Sequence, residues 1–310
     1  METKILIWGT GKEFWELYNI LMMNEELGNF KILGYVNRET GGKRFAGKEL
    51  FHPDELVGGI WFDYIIVATS AYYKEIVSYG TSKLGIDRNK FIHGKVLKLP
   101  CFNWKKYIRM YRDPISIISE TCLGGGGISN SLGLPFHSPF VNVRVGLGKN
   151  DYYQLLECLD FYMENTPSEF PHSKHLDLNW AGWEGRIPFP KLWYGDIMLH
   201  GFHFLSQQDF LECWEKRRKR YRPEHKLVLK ILYDEEDVER FEQLECGWKV
   251  GFFYGKTEHK DIVKLYTDEL NERYAYQFAS YLYDLLRSGE LFTKVDLFTL
   301  LADGVLKTME

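Results

Sequence analysis

Three stretches of the 310-residue chain combine residue types that can do chemistry. In Gly195-Asp196-Ile-Met-Leu-His200-Gly-Phe-His203, a period of two puts Asp196 and His200 on one strand face, with His203 opposite unless Gly201 introduces a bulge. On a helix all three share a face. Either arrangement brings a carboxylate to an imidazole, which fixes a tautomer for acid–base work or supplies part of a metal site; a hydrogen-bonded core pair is the structural alternative. The second stretch, Glu120-Thr-Cys122-Leu followed by Gly124-Gly125-Gly126-Gly127, can form a backbone nest for phosphate ahead of a short helix near Ile128. Cys122 at such a helix start suits a nucleophile with a depressed pKa, with His137 as its base, or else a buried thiol beside a close-packed turn. In the third stretch, Phe210, Trp214, Arg217 and Tyr221 recur at helical spacing within a run of basic residues. A charge on that buried stripe needs a phosphate or carboxylate partner, so Arg217, flanked by Arg220, is a candidate grip for a phosphorylated ligand, and an ion pair with Asp196 is the alternative. Ser138 and Trp214 join Gly124, Gly125 and Gly126 as further substrate contacts.

Gly9-Thr10-Gly11 follows an apolar run and precedes a helical pattern, the place where a dinucleotide's pyrophosphate meets a helix N-terminus. Phe14 stands where a third glycine would allow close packing, and Asn37, at the end of the next strand, replaces the carboxylate that holds ribose hydroxyls. Arg38 beside it suits a 2′-phosphate or a solvated turn. NAD(P) at Gly9, Gly11 and Asn37 is therefore one reading and a structural turn the other. Asp234-Glu-Glu-Asp237 reads as an N-cap with an acidic first turn rather than as a metal site, and the metal question stays open.

These residues require strands alternating with helices. Lys4–Trp8, Lys31–Val36 and Asp63–Thr69 are apolar runs separated by helical patterns, which predicts a small, doubly wound, Rossmann-like parallel-sheet domain over 1–105. After a basic, aromatic junction, strands at Ile115–Ser119, Gly195–Phe204 and Lys226–Tyr233, with helices at Asp151–Met163 and Gln207–Tyr221, predict a larger α/β domain over 112–310 that ends in helices. A long loop over about 164–192, with Trp180, Trp183, Phe189, Trp193 and Tyr194 in or beside it, is placed to stack on a sugar or base or to lid the core.

Composition limits the partners. Hydrophobic residues at 45% and charged ones at 26% describe a chain that folds, and a net charge of −4 does not favour nucleic acid. The five cysteines are widely spaced with no C-x-x-C pair, and no apolar run is long enough for a membrane span. The expectation is a cytoplasmic protein, with a homo-oligomer left open.

From about Ile115 onward the chain resembles the bacterial family of unknown function numbered nineteen-nineteen, often labelled exopolysaccharide biosynthesis protein. The resemblance rests on Ile117–Gly125 (IISETCLGG), Leu132–Pro139 (LGLPFHSP), Asp151–Glu157 (DYYQLLE), Gly195–His203 (GDIMLHGFH) and Trp214–Arg220 (WEKRRKR). Glu120 and Thr121 stand where that family usually has amides, and Leu123 where it has an aromatic residue. The resemblance implies a setting in the assembly or modification of surface polysaccharide and no mechanism. Taken together, the residues predict a transferase-like protein acting on an activated sugar or other phosphorylated precursor. A NAD(P)-dependent oxidoreductase of sugar nucleotides and a noncatalytic glycan- or partner-binding protein are the alternatives.

Overall fold

The computed structural model describes residues 2–39, 43–146, 149–164, 189–194, 197–255, 259–265 and 275–309. The chain divides into two compact units, Met1–Ile108 and Arg109–Glu310, each α/β with a parallel sheet. Asp196, Trp180 and Trp183 lie outside the described residues.

In the first unit, β1 (Lys4–Trp8) runs into α1 (Lys12–Glu26), followed by β2 (Lys31–Val36), β3 (Lys43–Phe45), β4 (Lys48–Phe51), β5 (Tyr64–Val67), α2 (Tyr73–Ser82) and β6 (Phe91–His93). The sheet order is β3-β4-β2-β1-β5-β6, parallel except for the β3–β4 pair. The apolar runs of β1 and β5 form this sheet's centre because a strand covered on both faces can be apolar throughout. Ile5, Leu6, Ile7, Ile65, Ile66 and Val67 are fully buried, each favourable by roughly 1.5–3 kcal/mol relative to exposure. The short β3–β4 hairpin carries mostly exposed or half-buried residues, too little apolar alternation for sequence periodicity to reveal.

Helix α3 (Trp104–Arg112) spans the division between the units. The second unit begins with β7 (Ser116–Ser119), a π turn over Leu123–Ile128 and α4 (Ser129–Leu132), then β8 (Arg144–Val145), α5 (Lys149–Glu157) and α6 (Leu159–Glu164). Next come β9 (Lys191–Tyr194), β10 (Ile197–His200), α7 (Gln207–Arg218), β11 (Lys226–Leu232), α8 (Glu235–Gln243), β12 (Trp248–Phe253) and β13 (Ile262–Lys264). Three helices follow: α9 (Ala275–Ser288), α10 (Leu291–Lys294) and α11 (Leu297–Asp303). The main sheet, β7-β11-β12-β13, is parallel throughout, while β8-β10-β9 is a separate antiparallel sheet. Tyr152, Trp214, Val228, Leu232, Phe241 and Phe253 share one core. Among the described residues no helix is long and apolar enough to cross a membrane.

The sequence reading misplaces some boundaries. The helix expected over Asp151–Met163 is two helices broken at Cys158, and it starts two residues before Asp151, which therefore sits in the first turn of α5 instead of capping it. Asp234 does cap α8, its carboxylate accepting from the Asp237 N–H at 2.9 Å.

Candidate functional site

In open parallel sheets, ligands are taken up beyond the carboxyl ends of the strands. In the second unit that edge begins at Glu120, which follows β7, and at Lys230, near the end of β11. Lys230 is 1% exposed. Its ammonium lies 3.3 Å from Glu120 Oε2 and 3.1 Å from Asp237 Oδ2, and the rings of Tyr153 and Tyr233 flank it at 5.1 and 5.2 Å. Both carboxylates are anchored further. Glu120 Oε1 accepts from the Ile231 N–H at 3.1 Å, while Asp237 accepts from the Tyr153 hydroxyl at 2.7 Å and the Tyr233 N–H at 3.1 Å. Burial pushes the Glu120 carboxyl above its ordinary pKa, against the opposing pull of Lys230.

Above this buried cluster the groups are half-buried and polar. Thr121 and Cys122 continue from Glu120, and the Tyr283 hydroxyl of α9 donates to Thr121 Oγ1 at 3.3 Å. Tyr233 follows β11, and its carbonyl accepts from the Tyr254 hydroxyl at 3.0 Å. Strand β8 is tied to the same edge, because the Val145 N–H donates to the Glu120 carbonyl at 3.0 Å. The adjacent residue, Arg144, exerts its positive field on Cys122, Tyr233, Tyr283 and His200. Burial keeps both tyrosine hydroxyls protonated by raising their pKa.

His200 reaches this group across the small sheet. It is register-paired with Arg144, and cross-strand partners project to one face. It is only 2% exposed and stacks on Phe202 with ring centroids 5.8 Å apart. Neither ring nitrogen has a hydrogen-bond partner among the described residues. Burial, followed by the charges of Lys191 and Arg144, lowers its pKa to about 4, so at pH 7 it is a neutral imidazole with one donor and one acceptor unused.

The structure thus brings His200 and Cys122 into one electrostatic neighbourhood and separates other expected residues from it. His203 is exposed in the turn after β10. Cys122 precedes the π turn, but burial pushes its thiol up to about 11, the reverse of an activated nucleophile. His137 is no base for it: the His137 carbonyl accepts from the Ser116 hydroxyl at 2.9 Å, at the amino end of β7, whereas Cys122 follows the carboxyl end. The glycine run is also not a nest of alternating hand, since Gly124, Gly125, Gly126 and Gly127 have no positive φ. A Cβ at Gly124 would lie 2.6 Å from Ile117 Cγ2, at Gly125 2.4 Å from Val141 Cγ2, at Gly126 2.7 Å from Asn142 Oδ1 and at Gly127 2.7 Å from Leu286 Cδ2. These glycines let the turn pack against four neighbours.

Arg217 is half-buried as its stripe predicts, and burial lowers its pKa. No carboxylate lies within ion-pair distance of it among the described residues. Its guanidinium donates to the Val141 carbonyl at 2.7 Å and faces the rings of Phe136 and Phe204 at 5.7 and 5.6 Å. Arg220 is exposed and donates to the Phe136 carbonyl at 3.3 Å. Ser138 spends its hydroxyl on the Phe140 N–H at 3.2 Å, and Trp214 is fully buried against Phe140 and Phe210. These four residues fasten α7 and the 136–141 loop and are not part of the Arg144–His200 group. Trp193 and Tyr194 lie on β9, and Phe189 packs on Phe202 at 4.3 Å.

In the first unit, Gly9 adopts φ +107° and donates its N–H to the Val36 carbonyl at 3.0 Å, while Gly11 caps α1. Asn37 donates to the Thr10 hydroxyl at 2.6 Å, and the Glu13 carboxylate accepts from the Ser70 N–H at 2.8 Å and its hydroxyl at 2.8 Å. Phe14 is fully buried against Tyr35 and Phe45. Arg38 lies over the Tyr79 ring at 5.1 Å. The Gly9 N–H and the Asn37 amide are thus engaged within the unit, while the N-terminus of α1 at Gly11 carries no side-chain cap.

A model of the domain of unknown function DUF1919 matches residues 93–281. The chain belongs to the DUF1919 family. The DUF1919 match contains Glu120, Cys122, Arg144, His200, Lys230 and Asp237, while residues 1–92 match a model described as C2185-like, N-terminal. An uncharacterized protein of Haemophilus influenzae is 30% identical over 141 residues, 44% of this chain and 61% of that protein's length.

Sequence reading alone missed Glu120, Arg144, Lys230 and the two tyrosines. Lys230 did leave a signal. It interrupts KLVLKIL, the run of a strand buried on both faces, where a charge has to find a partner. Arg144 left none, because β8 is two residues long.

Proposed function

We propose that the second unit is a transferase-like enzyme acting on an activated sugar or other phosphorylated precursor in the assembly of surface polysaccharide, working in the cytoplasm. In this reading the first unit is a Rossmann-like, doubly wound module, a description its strand order supports. The observation that carries the proposal is His200: a buried imidazole whose two nitrogens have no partner among the described residues, opposite Arg144 in the small sheet that Val145 ties to the carboxyl edge of the parallel one. A buried polar group without a partner is costly, and a ligand that completes its hydrogen bonds offsets that cost.

Each group has a role. Arg144 supplies positive potential toward a phosphate, and Thr121, Tyr233 and Tyr283 present neutral hydroxyls suited to a polyhydroxyl ring. His200 hydrogen-bonds the ligand, and a nearby phosphate raises its proton affinity and so its capacity to take a proton from an attacking hydroxyl. Cys122 packs beside the turn and does no covalent chemistry. The NAD(P) alternative would have to displace the internal bonds that Gly9 and Asn37 make.

The test is a thermal-shift panel of sugar nucleotides and sugar phosphates on the intact chain, repeated with His200→Ala and Arg144→Ala. A ligand near 100 times its Kd stabilises the native state by about 2.7 kcal/mol. The expected result is a raised midpoint with at least one phosphorylated sugar, reduced in both variants. If no compound raises the midpoint, or if both variants respond like the parent, the proposal fails.

A further inference from the structure

Beneath the ligand-facing groups, one buried arrangement joins β7, β8, β11, α5 and α8. Lys230 pairs with Glu120 and with Asp237. Through Glu120 it reaches the loop carrying Thr121 and Cys122, and through the Glu120 carbonyl it reaches Val145, next to Arg144. Through Asp237 it reaches the first turn of α8, the Tyr233 N–H and Tyr153 of α5. The Lys230 ammonium is fully buried between two carboxylates and the Tyr153 hydroxyl is spent on Asp237, so neither is offered to a ligand.

We propose that Lys230 is a positioning residue for the candidate site: its ammonium, shared between Glu120 and Asp237, holds the Glu120–Cys122 segment at the distance from Tyr233 and β8 that the site requires. A cation shared by two anchored carboxylates is directional in a way that apolar packing is not. An apolar residue at 230 fills the same volume but removes the charged tether, leaving the segment after β7 held there by the Ile231 and Val145 N–H groups. The role rests on the site proposed above for its location only, because the experiment uses no ligand and so fails or succeeds independently of that reading.

The half-buried thiol of Cys122 reports on the segment, and two other half-buried thiols of the same unit, Cys213 and Cys246, serve as internal controls. Cys101 and Cys158 are exposed and are replaced by serine in the intact chain. Alkylation by iodoacetamide is then followed at each cysteine by mass spectrometry at one fixed pH. Lys230→Met alone leaves two buried carboxylates, so the informative variant is Lys230→Met with Glu120→Gln, in which Asp237 keeps Tyr153, the Tyr233 N–H and its place in α8. The expected result is modification of Cys122 faster by about tenfold, reporting local opening, with Cys213 and Cys246 unchanged and the unfolding transition still cooperative. An unchanged Cys122 rate overturns the proposal, and so does a parallel rise at all three cysteines, which marks general loosening. If the double variant does not fold, Glu120→Gln alone decides: Cys122 modification should rise by about threefold or more, and an unchanged rate overturns the proposal.

Discussion

In the first unit, the segment after β1 is tied to the one after β2 by Asn37 to Thr10 and to the one after β5 by Ser70 to Glu13, with Phe14 filling the space below. At the corresponding end of the second unit's sheet, Thr121, Cys122, Arg144, Tyr233 and Tyr283 are half-buried, and His200 is buried with no hydrogen-bond partner among the described residues. The first edge is thus tied by its own side chains, and the second holds a buried imidazole whose two nitrogens are unpaired among those residues. The strand orders differ too, β2-β1-β5-β6 in the first sheet and β7-β11-β12-β13 in the second, but order by itself assigns no function. The side chains at each edge do that, and the buried imidazole lies in the second unit.

The largest effect should come from breaking the buried charge cluster of the open edge. Lys230→Met leaves Glu120 and Asp237 without their shared cation, which is expected to cost about 3–5 kcal/mol. Urea denaturation should show a matching loss in the second unit. A loss below about 1 kcal/mol would mean that the cluster is less committed than its burial indicates.

The next effect is a pH dependence seated at His200. Its folded pKa of about 4 lies below the ordinary 6.5, so between those values the unfolded chain binds more protons. Stability from this group is therefore present at neutral pH and is lost as pH falls from 6.5 toward 4, by about 3 kcal/mol in all. His200→Leu should remove that slope and leave neutral-pH stability equal or higher, because an unsatisfied buried imidazole is replaced by an apolar side chain. A variant clearly less stable at pH 7 would show that the ring has a structural bond and would weaken the contrast between the two edges.

Gly125→Ala comes third. The new Cβ would meet Val141 at 2.4 Å at its side chain and 3.1 Å at its Cα, so the turn or the loop has to shift. Overpacking of this kind costs about 1–3 kcal/mol, and a chemical denaturation curve measures it. A neutral substitution would show that the run of glycines is not there for packing.

Much of the scaffold was legible from the sequence because the central strands are apolar on both faces: Lys4–Trp8 and Lys31–Val36 were placed to the residue. The Arg217 stripe and the Asp234 cap were legible for related reasons, one through helical period and one through a short-range side-chain bond. The candidate site was legible only at His200 and Cys122. Its other members are brought together by pairings across the chain, such as Glu120 with Lys230, 110 residues apart, and no local pattern encodes such a pairing. The glycine run illustrates the opposite error. Its composition fits a phosphate nest and a close-packed turn equally, and only the positions of Ile117, Val141, Asn142 and Leu286 separate the two.

The smallest effect tests the closed edge. Asn37→Ala removes the bond to Thr10, a partly exposed neutral pair, and should cost the first unit about 1 kcal/mol, the usual net worth of such a bond. The more telling measurement is titration of Asn37→Ala/Glu13→Gln with NAD and NADP. If the polar ties alone excluded the dinucleotide, removing them would create saturable binding. The expectation is that neither cofactor binds, because Phe14 still fills the space between α1 and the sheet where the fingerprint's third glycine would allow closer packing. Binding by the double variant would show that the first edge is a closed version of an open site, and the two sheets would then differ by a pair of hydrogen-bonded ties instead of by the packing beneath them.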